Sequence, residues 1–130
     1  MNFIKPTIEG YKKEKNNCTV VALCVSTALP YVHCLKISKK AGRKNAKGFC
    51  SKKLIDFFNK DSETKLVPVK LHKPVTIQKF CKRYSKGSFY ARKRNHAFAI
   101  VDGDVFDMPG EATPRSIVKH AWKLKKVPYI

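Results

Sequence analysis

The spacing of apolar residues changes about two thirds of the way along the chain. From Val20 to Leu29 nearly every position is apolar: Val20, Val21, Ala22, Leu23, Cys24, Val25, Ala28 and Leu29. A run this dense, opened by the good N-cap residue Asn17, predicts a helix from near Asn17 to about Leu29 that is buried nearly all round. Pro30 ends it and opens the next helix at the first helical position. That second helix runs roughly from Tyr31 to Ala41 and stops at Gly42, a natural residue past a helix C-terminus. A basic loop follows, Arg43-Lys44-Asn45-Ala46-Lys47-Gly48. Ser51 is expected to cap a third, short helix with Leu54, Phe57 and Phe58 on one face. Asp61-Ser62-Glu63-Thr64 reads as a surface turn. Leu66-Val67-Pro68-Val69 reads as a short strand whose proline suggests an edge. Thr76 caps a fourth helix with Ile77, Phe80, Cys81 and Tyr84 at helical spacing, ended by Ser85-Lys86-Gly87.

Beyond Gly87 the apolar period shortens to that of strands. Ser88 to Lys93, His96 to Val101 and Asp104 to Met108 are predicted strands. The last two are joined at Asp102-Gly103, a strong signal for a type I′ turn. Thr113-Pro114 is expected to open a last helix holding Ile117, Val118, Ala121 and Trp122. About the first fifteen residues read as a basic, irregular, loosely packed arm. Helices first and an antiparallel sheet afterwards is an α+β order rather than the alternation of a parallel α/β fold. The length, 130 residues, suits one domain covering residues 1–130.

The predicted hairpin brings chemistry with it. With Asp102 and Gly103 as the loop, Val101 faces Asp104 and Phe98 faces Asp107. Alternation along a strand puts His96, Phe98 and Ile100 on one face. Asp107 shares that face, diagonal to His96, at a backbone separation of about 7–8 Å that side chains can span. A carboxylate there would hold one imidazole nitrogen and leave the other for a thiol. The same arithmetic sends Ala97, Ala99, Val101, Asp104 and Phe106 to the opposite face, so Asp104 and Asp102 are turn residues. Cys18 lies at the start of the first helix, where free N–H groups and the helix dipole favour a thiolate. Cys18 as nucleophile, His96 as base and Asp107 as orienting residue satisfy three requirements of one mechanism.

Composition adds a second theme. There are 28 Lys and Arg against 9 Asp and Glu, a formal net charge of +19. Such an excess favours polyanions, nucleic acid above all, although no zinc-finger, homeodomain or RNP pattern is present. Arg92-Lys93-Arg94 beside His96, with Lys82 and Arg83 on the fourth helix, are the candidate polyanion-binding residues. The chain has five cysteines, no C-x-x-C and no apolar leader. These features argue against a disulfide framework and against structural zinc. Cys24, Cys34 and Cys81 fall in apolar patterns and read as inert core thiols, and Cys50 is the rival nucleophile. His33, His72 and His120 share no metal-ligand spacing. Without a long apolar span or a signal segment, a soluble, cytoplasmic protein with no membrane partner is expected.

The order of helix-borne Cys, strand-borne His and then Asp resembles the papain-like cysteine peptidase superfamily. The nearer similarity is to its small single-domain phage and bacterial members, carried by Asn16 to Leu29, Ala41 to Gly48 and Gly87 to Met108. The resemblance implies a papain-like fold, N-terminal helices packed on a C-terminal antiparallel sheet. It also implies cysteine-dependent hydrolysis or acyl transfer on a peptide or isopeptide bond of a protein substrate, with no cofactor. The family places Gln a few residues before the Cys to stabilise the oxyanion; here Asn16 or Asn17 must serve, with the Cys18 N–H. A phage origin, and hence host cytoplasm or a virus particle as location, follows from the same resemblance. The alternative is an inactive, strongly basic nucleic-acid-associated or virion protein on the same scaffold.

Overall fold

The computed structural model describes residues 1–11, 17–44, 50–60 and 62–126. A six-stranded sheet forms its centre. In chain order the elements are β1 (Phe3–Ile4), α1 (Cys18–Thr27), α2 (Tyr31–Lys40), α3 (Ser51–Lys60), β2 (Thr64–Pro68), β3 (Val75–Thr76), α4 (Ile77–Arg83), β4 (Ser88–Lys93), β5 (His96–Val101), β6 (Asp104–Phe106), β7 (Ile117–Val118) and β8 (His120–Lys126). The sheet order is β1-β6-β5-β4-β8-β2, and β3 and β7 make a separate two-stranded pair. Every pairing is antiparallel except β1 with β6. The molecule is therefore α+β, with a mostly antiparallel sheet.

Two apolar cores lie on opposite faces of this sheet. Helices α1, α2 and α3 pack over Leu66, Tyr90 and Ala97. Helix α4 and β7 pack over Phe89, Ala91, Phe98, Ile100 and Val105. Alternation along β4 and β5 explains the split, since Tyr90 and Ala97 have the opposite parity to Phe89 and Phe98. Helix α1 is the buried one, with Val20, Val21, Ala22 and Leu23 all at most 4% exposed. Its unbroken apolar run has to be covered by the sheet on one side and by neighbouring helices on the other.

Several sequence expectations are corrected here. The last helix does not form. Ile117, Val118, Ala121 and Trp122 lie instead in β7 and β8, and β8 fills the position between β4 and β2. Strand pairing on both edges of β8 outweighs a local pattern that suits either period. The N-terminal arm is partly ordered: Phe3 pairs with Val105 and Ile4 with Phe106. Residues 12–15 of that arm lie outside the described residues. Helix α1 stops at Thr27, where Ala28 adopts a left-handed conformation (φ 57°), so Leu29 falls outside it. Pro30 is the N-cap of α2 rather than its first residue. Ser51 is the first residue of α3, and its hydroxyl shares a 2.7 Å hydrogen bond with the buried Tyr90 hydroxyl. Of the basic loop, residues 45–48 lie outside the described residues, as does Asp61 of the surface turn.

Other local signals act as the sequence suggests. Thr76 caps α4 through its hydroxyl, which accepts from Lys79 N–H at 3.2 Å. The proline-bearing β2 is an edge strand. Asp102 and Gly103 both have positive φ, 48° and 81°, and Val101 pairs with Asp104. A Cβ on Gly103 would meet nothing closer than 3.7 Å. Substituting Gly103→Ala should therefore cost backbone strain alone, about 1–2 kcal/mol. Urea denaturation should show that loss without a change in slope. A variant as stable as the parent would mean that the turn does not require glycine.

Candidate active site at the open edge of strand β5

Strand β6 pairs with β5 only over Ala99, Ile100 and Val101, and it ends at Phe106. The first half of β5, His96 to Phe98, therefore has no strand on that side. Backbone N–H groups of a strand lie in the sheet plane, so Ala97 N–H points into the space where β6 is missing. The Cys18 sulfur occupies that space. There, at the start of α1, the Ala97 and Thr19 N–H groups both favour its thiolate.

His96 is 5% exposed and Asp107 6%. The His96 Nε2 and Asp107 Oδ1 atoms lie 2.6 Å apart. With Nε2 committed to the carboxylate, Nδ1 is the nitrogen left to interact with Cys18, whose thiolate His96 favours. Phe98, two residues on and on the same face, stacks near the ring at a centroid distance of 6.2 Å. The imidazole is thus held on its edge by a carboxylate and on its flat side by an aromatic ring.

Asp107 is itself held from three directions. Its N–H donates to Ile4 C=O at 3.0 Å, so the N-terminal strand fixes its backbone. Its C=O accepts from Gly110 N–H at 3.3 Å, closing a turn in which Gly110 has φ 71°. Ala112 N–H, returning from that turn, donates to Oδ2 at 2.7 Å. One carboxylate oxygen binds the histidine and the other binds backbone, which leaves little freedom to rotate.

The titration behaviour follows from a contest between burial and partners. Burial is the largest influence on Cys18 and opposes the thiolate. The hydrogen bond and charge of His96, with the Ala97 and Thr19 N–H groups, together outweigh it and hold the thiol below its ordinary value. Burial likewise works against the imidazolium, but Asp107 and Cys18 push His96 up to about 9. Burial would raise Asp107, yet His96 and the Ala112 N–H keep it below the usual carboxylate value. Together the three shifts favour a thiolate–imidazolium pair backed by a carboxylate.

The other sequence candidates are placed as follows. Asn17 is the N-cap of α1, 8% exposed, and its side chain makes no capping hydrogen bond to the helix. Asn16 lies outside the described residues. Cys50 is exposed at the start of α3, away from any imidazole partner named in the structure. Cys24, Cys34 and Cys81 are buried. Cys24 donates to Leu29 C=O at 3.0 Å. Cys34 is pushed up by Cys24 and by burial, and burial pushes Cys81 up, so neither favours a thiolate. Asp104 accepts from the Asn2 N–H and Asp102 from the Gly87 N–H, each at 2.9 Å. Arg92, Lys93 and Arg94 do not form one patch. Arg92 follows Tyr90 onto the helix α1 face, Lys93 follows Phe89 and Ala91 onto the α4 face, and Arg94 is exposed in the β4–β5 turn. Lys82 and Arg83 are exposed on α4.

Glu111 was not foreseen. Its Oε2 lies 3.5 Å from His96 Nδ1, and its side chain is 57% exposed. The sequence signal for it is slight: an acid four residues beyond Asp107, in a chain with few acids. Among the described residues no group of three or more His, Cys, Asp or Glu could hold a metal ion. Nor is any helix among them long and apolar enough to cross a membrane.

The shifts set the pH dependence of the thiol. Alkylation by iodoacetamide follows the thiolate, so the wild-type rate should rise with pH well below the ordinary thiol value of about 8.5. It should then stay level until His96 loses its proton near 9. In His96→Ala the lowering partner is gone while burial remains, and the rise should move to or above the ordinary value. Asp107→Asn should lie between the two. Coincident profiles for Cys18 in wild type and His96→Ala would contradict the thiolate–imidazolium pair.

No family model, curated protein or solved structure matches the chain.

Proposed function

We propose that this protein is a cysteine-dependent hydrolase or acyl transferase acting on a peptide or isopeptide bond. The observation that carries the reading is the buried 2.6 Å contact between His96 and Asp107, with His96 and Cys18 near enough to shift one another. The order of these residues along the chain, and their placement on helix, strand and strand end, resemble papain-like peptidases.

In this mechanism the Cys18 sulfur donates an electron pair to the substrate carbonyl carbon, and the carbonyl π electrons move to oxygen. The oxyanion faces the N-terminus of α1, with the Cys18 N–H and the Asn17 side chain as donors. His96 gives its Nδ1 proton to the leaving nitrogen as the C–N bond breaks, which leaves a thioester on Cys18. Water then attacks the thioester while His96 takes its proton, and the C–S bond breaks. Asp107 keeps the Nε2 proton in place throughout and compensates the imidazolium charge. Without Asp107 the ring could turn or lose its proton before attack.

A simple ester separates this reading from chance proximity. With p-nitrophenyl acetate the enzyme should accumulate an acetyl group on Cys18, visible by intact mass and peptide mapping. Cys18→Ala should abolish that adduct, and His96→Ala should slow its formation by about 100-fold or more. Acetylation of Cys18 no faster than that of exposed Cys50 would overturn the proposal.

A second reading, polyanion binding, is favoured by a groove on the α4 side of the molecule. It has a volume of about 390 Å³, and His72, Lys73, Lys79 and Arg83 stand around the apolar Val75 and Ile117. Among the described residues no carboxylate lines it. Lys82 adds a further exposed cation on the same helix. A phosphate backbone fits such a surface without sequence selectivity. A fluorescent single-stranded oligonucleotide should bind at low salt and release steeply as salt rises. Reversing Lys79 and Arg83 to Glu together should weaken binding by about tenfold or more, whereas Cys18→Ala should leave it unchanged. Undetectable binding at low ionic strength would remove this reading.

A further inference from the structure

The hydrolase mechanism accounts for Cys18, His96 and Asp107 and leaves Glu111 unused. Asp107 already holds the Nε2 side of the ring, and Ala112 N–H already holds Asp107. Glu111 stands instead at Nδ1, the nitrogen left for Cys18, with its side chain 57% exposed. Its carboxylate is therefore surplus to the orientation of His96 and open to an arriving group.

The charges around the mouth point the same way. A thiolate, an imidazolium and two carboxylates give this edge of β5 a net negative charge, within a chain of formal charge +19. The cations of the β4–β5 hairpin lie on the other edge of the strand, Arg92 opposite Ala97 among them. Lys93 pairs with His96 from β4, and Arg94 lies in the β4–β5 turn. Asp107, Glu111 and the thiol lie where β6 leaves β5 uncovered. Strand β5 therefore separates an acidic edge from a basic one, the two flanks about 9–10 Å apart at two strand spacings. That distance is about one Debye length in physiological salt, so a small group at the mouth is governed by the carboxylates beside it.

We propose that Glu111 determines specificity at this site and that the substrate carries a cationic group, an amine or a guanidinium, next to the scissile carbonyl. The assignment rests on the thiol-hydrolase reading. Glu111 exchanges its contact with His96 for one with the substrate cation, which draws the carboxylate off Nδ1 and leaves that proton for the leaving group. An anionic substrate meets Glu111 unrelieved and is disfavoured.

The test uses one reactive group with three charges. Aminoethyl, methyl and sulfonatoethyl methanethiosulfonates supply a cation, a neutral group and an anion, and modification of Cys18 in the full chain is followed by mass mapping beside Cys50. The ratio of cationic to anionic rates should fall by about fivefold in Glu111→Gln, the factor expected for one exposed ion pair. Glu111→Asp should retain part of the preference. In wild type the ratio should shrink as salt is added, and in Glu111→Gln it should shrink less. A Cys18 that reacts readily, with the same charge ratio in wild type and Glu111→Gln, overturns the substrate assignment alone. A neutral-reagent rate that falls in Glu111→Gln with an unchanged ratio overturns it too, because Glu111 would then act only by positioning His96. A Cys18 no more reactive than Cys50 toward the neutral reagent overturns the hydrolase reading and the substrate assignment together.

Discussion

Strand β6 leaves the sheet three residues after the Asp102-Gly103 turn, and the placement of the candidate site depends on that early departure. A longer β6 would pair with His96 to Phe98 and consume Ala97 N–H in the sheet. Because it stops, the edge of β5 stays open, Cys18 enters it from the start of α1, and Asp107 turns back across it. The turn sets the register, the register sets which face His96 and Asp107 share, and the short strand supplies the space between them.

What holds Asp107 there comes from distant parts of the chain. Strand β1 joins the sheet in parallel beside β6, and Ile4 C=O receives the Asp107 N–H. On the other side the Gly110 turn returns Ala112 N–H to the carboxylate. A buried carboxylate is costly unless its oxygens are satisfied, and both are satisfied here. The same balance runs through the site. Burial opposes charge on all three groups, and mutual hydrogen bonding overcomes it for each. Removing any one partner leaves the other two buried and less well compensated.

The charge of the chain is unevenly used. Among the described residues most lysines and arginines are exposed, with Lys79, Lys82 and Arg83 together on α4 and the groove beside them lined by further cations. Of the acids near β5, Asp107 and Glu111 stand beside His96, and Asp102 and Asp104 lie at the turn at its other end. Solvent screens the basic α4 surface from the carboxylates beside His96 over a few strand widths.

Local chemistry was enough to determine the buried character of α1, the cap at Thr76, the edge position of the proline-bearing β2, and the Asp102-Gly103 turn. From that turn alone followed the common face of His96 and Asp107, because side-chain alternation in a hairpin is a matter of counting. What the chain could not declare locally were features that depend on partners distant in sequence. Ile117 to Leu124 has an apolar pattern that suits either period, and only the vacancy between β4 and β2 makes it strand. Phe3 and Ile4 are a basic arm by composition, and only the exposed edge of β6 makes them a strand. The Arg92-Lys93-Arg94 run looks like one patch in sequence, and the pleat of β4 sends its members to different faces. Glu111 is one acid among nine in the sequence. Its position over the imidazole is set by a turn closed through backbone hydrogen bonds, a tertiary fact that no local pattern encodes.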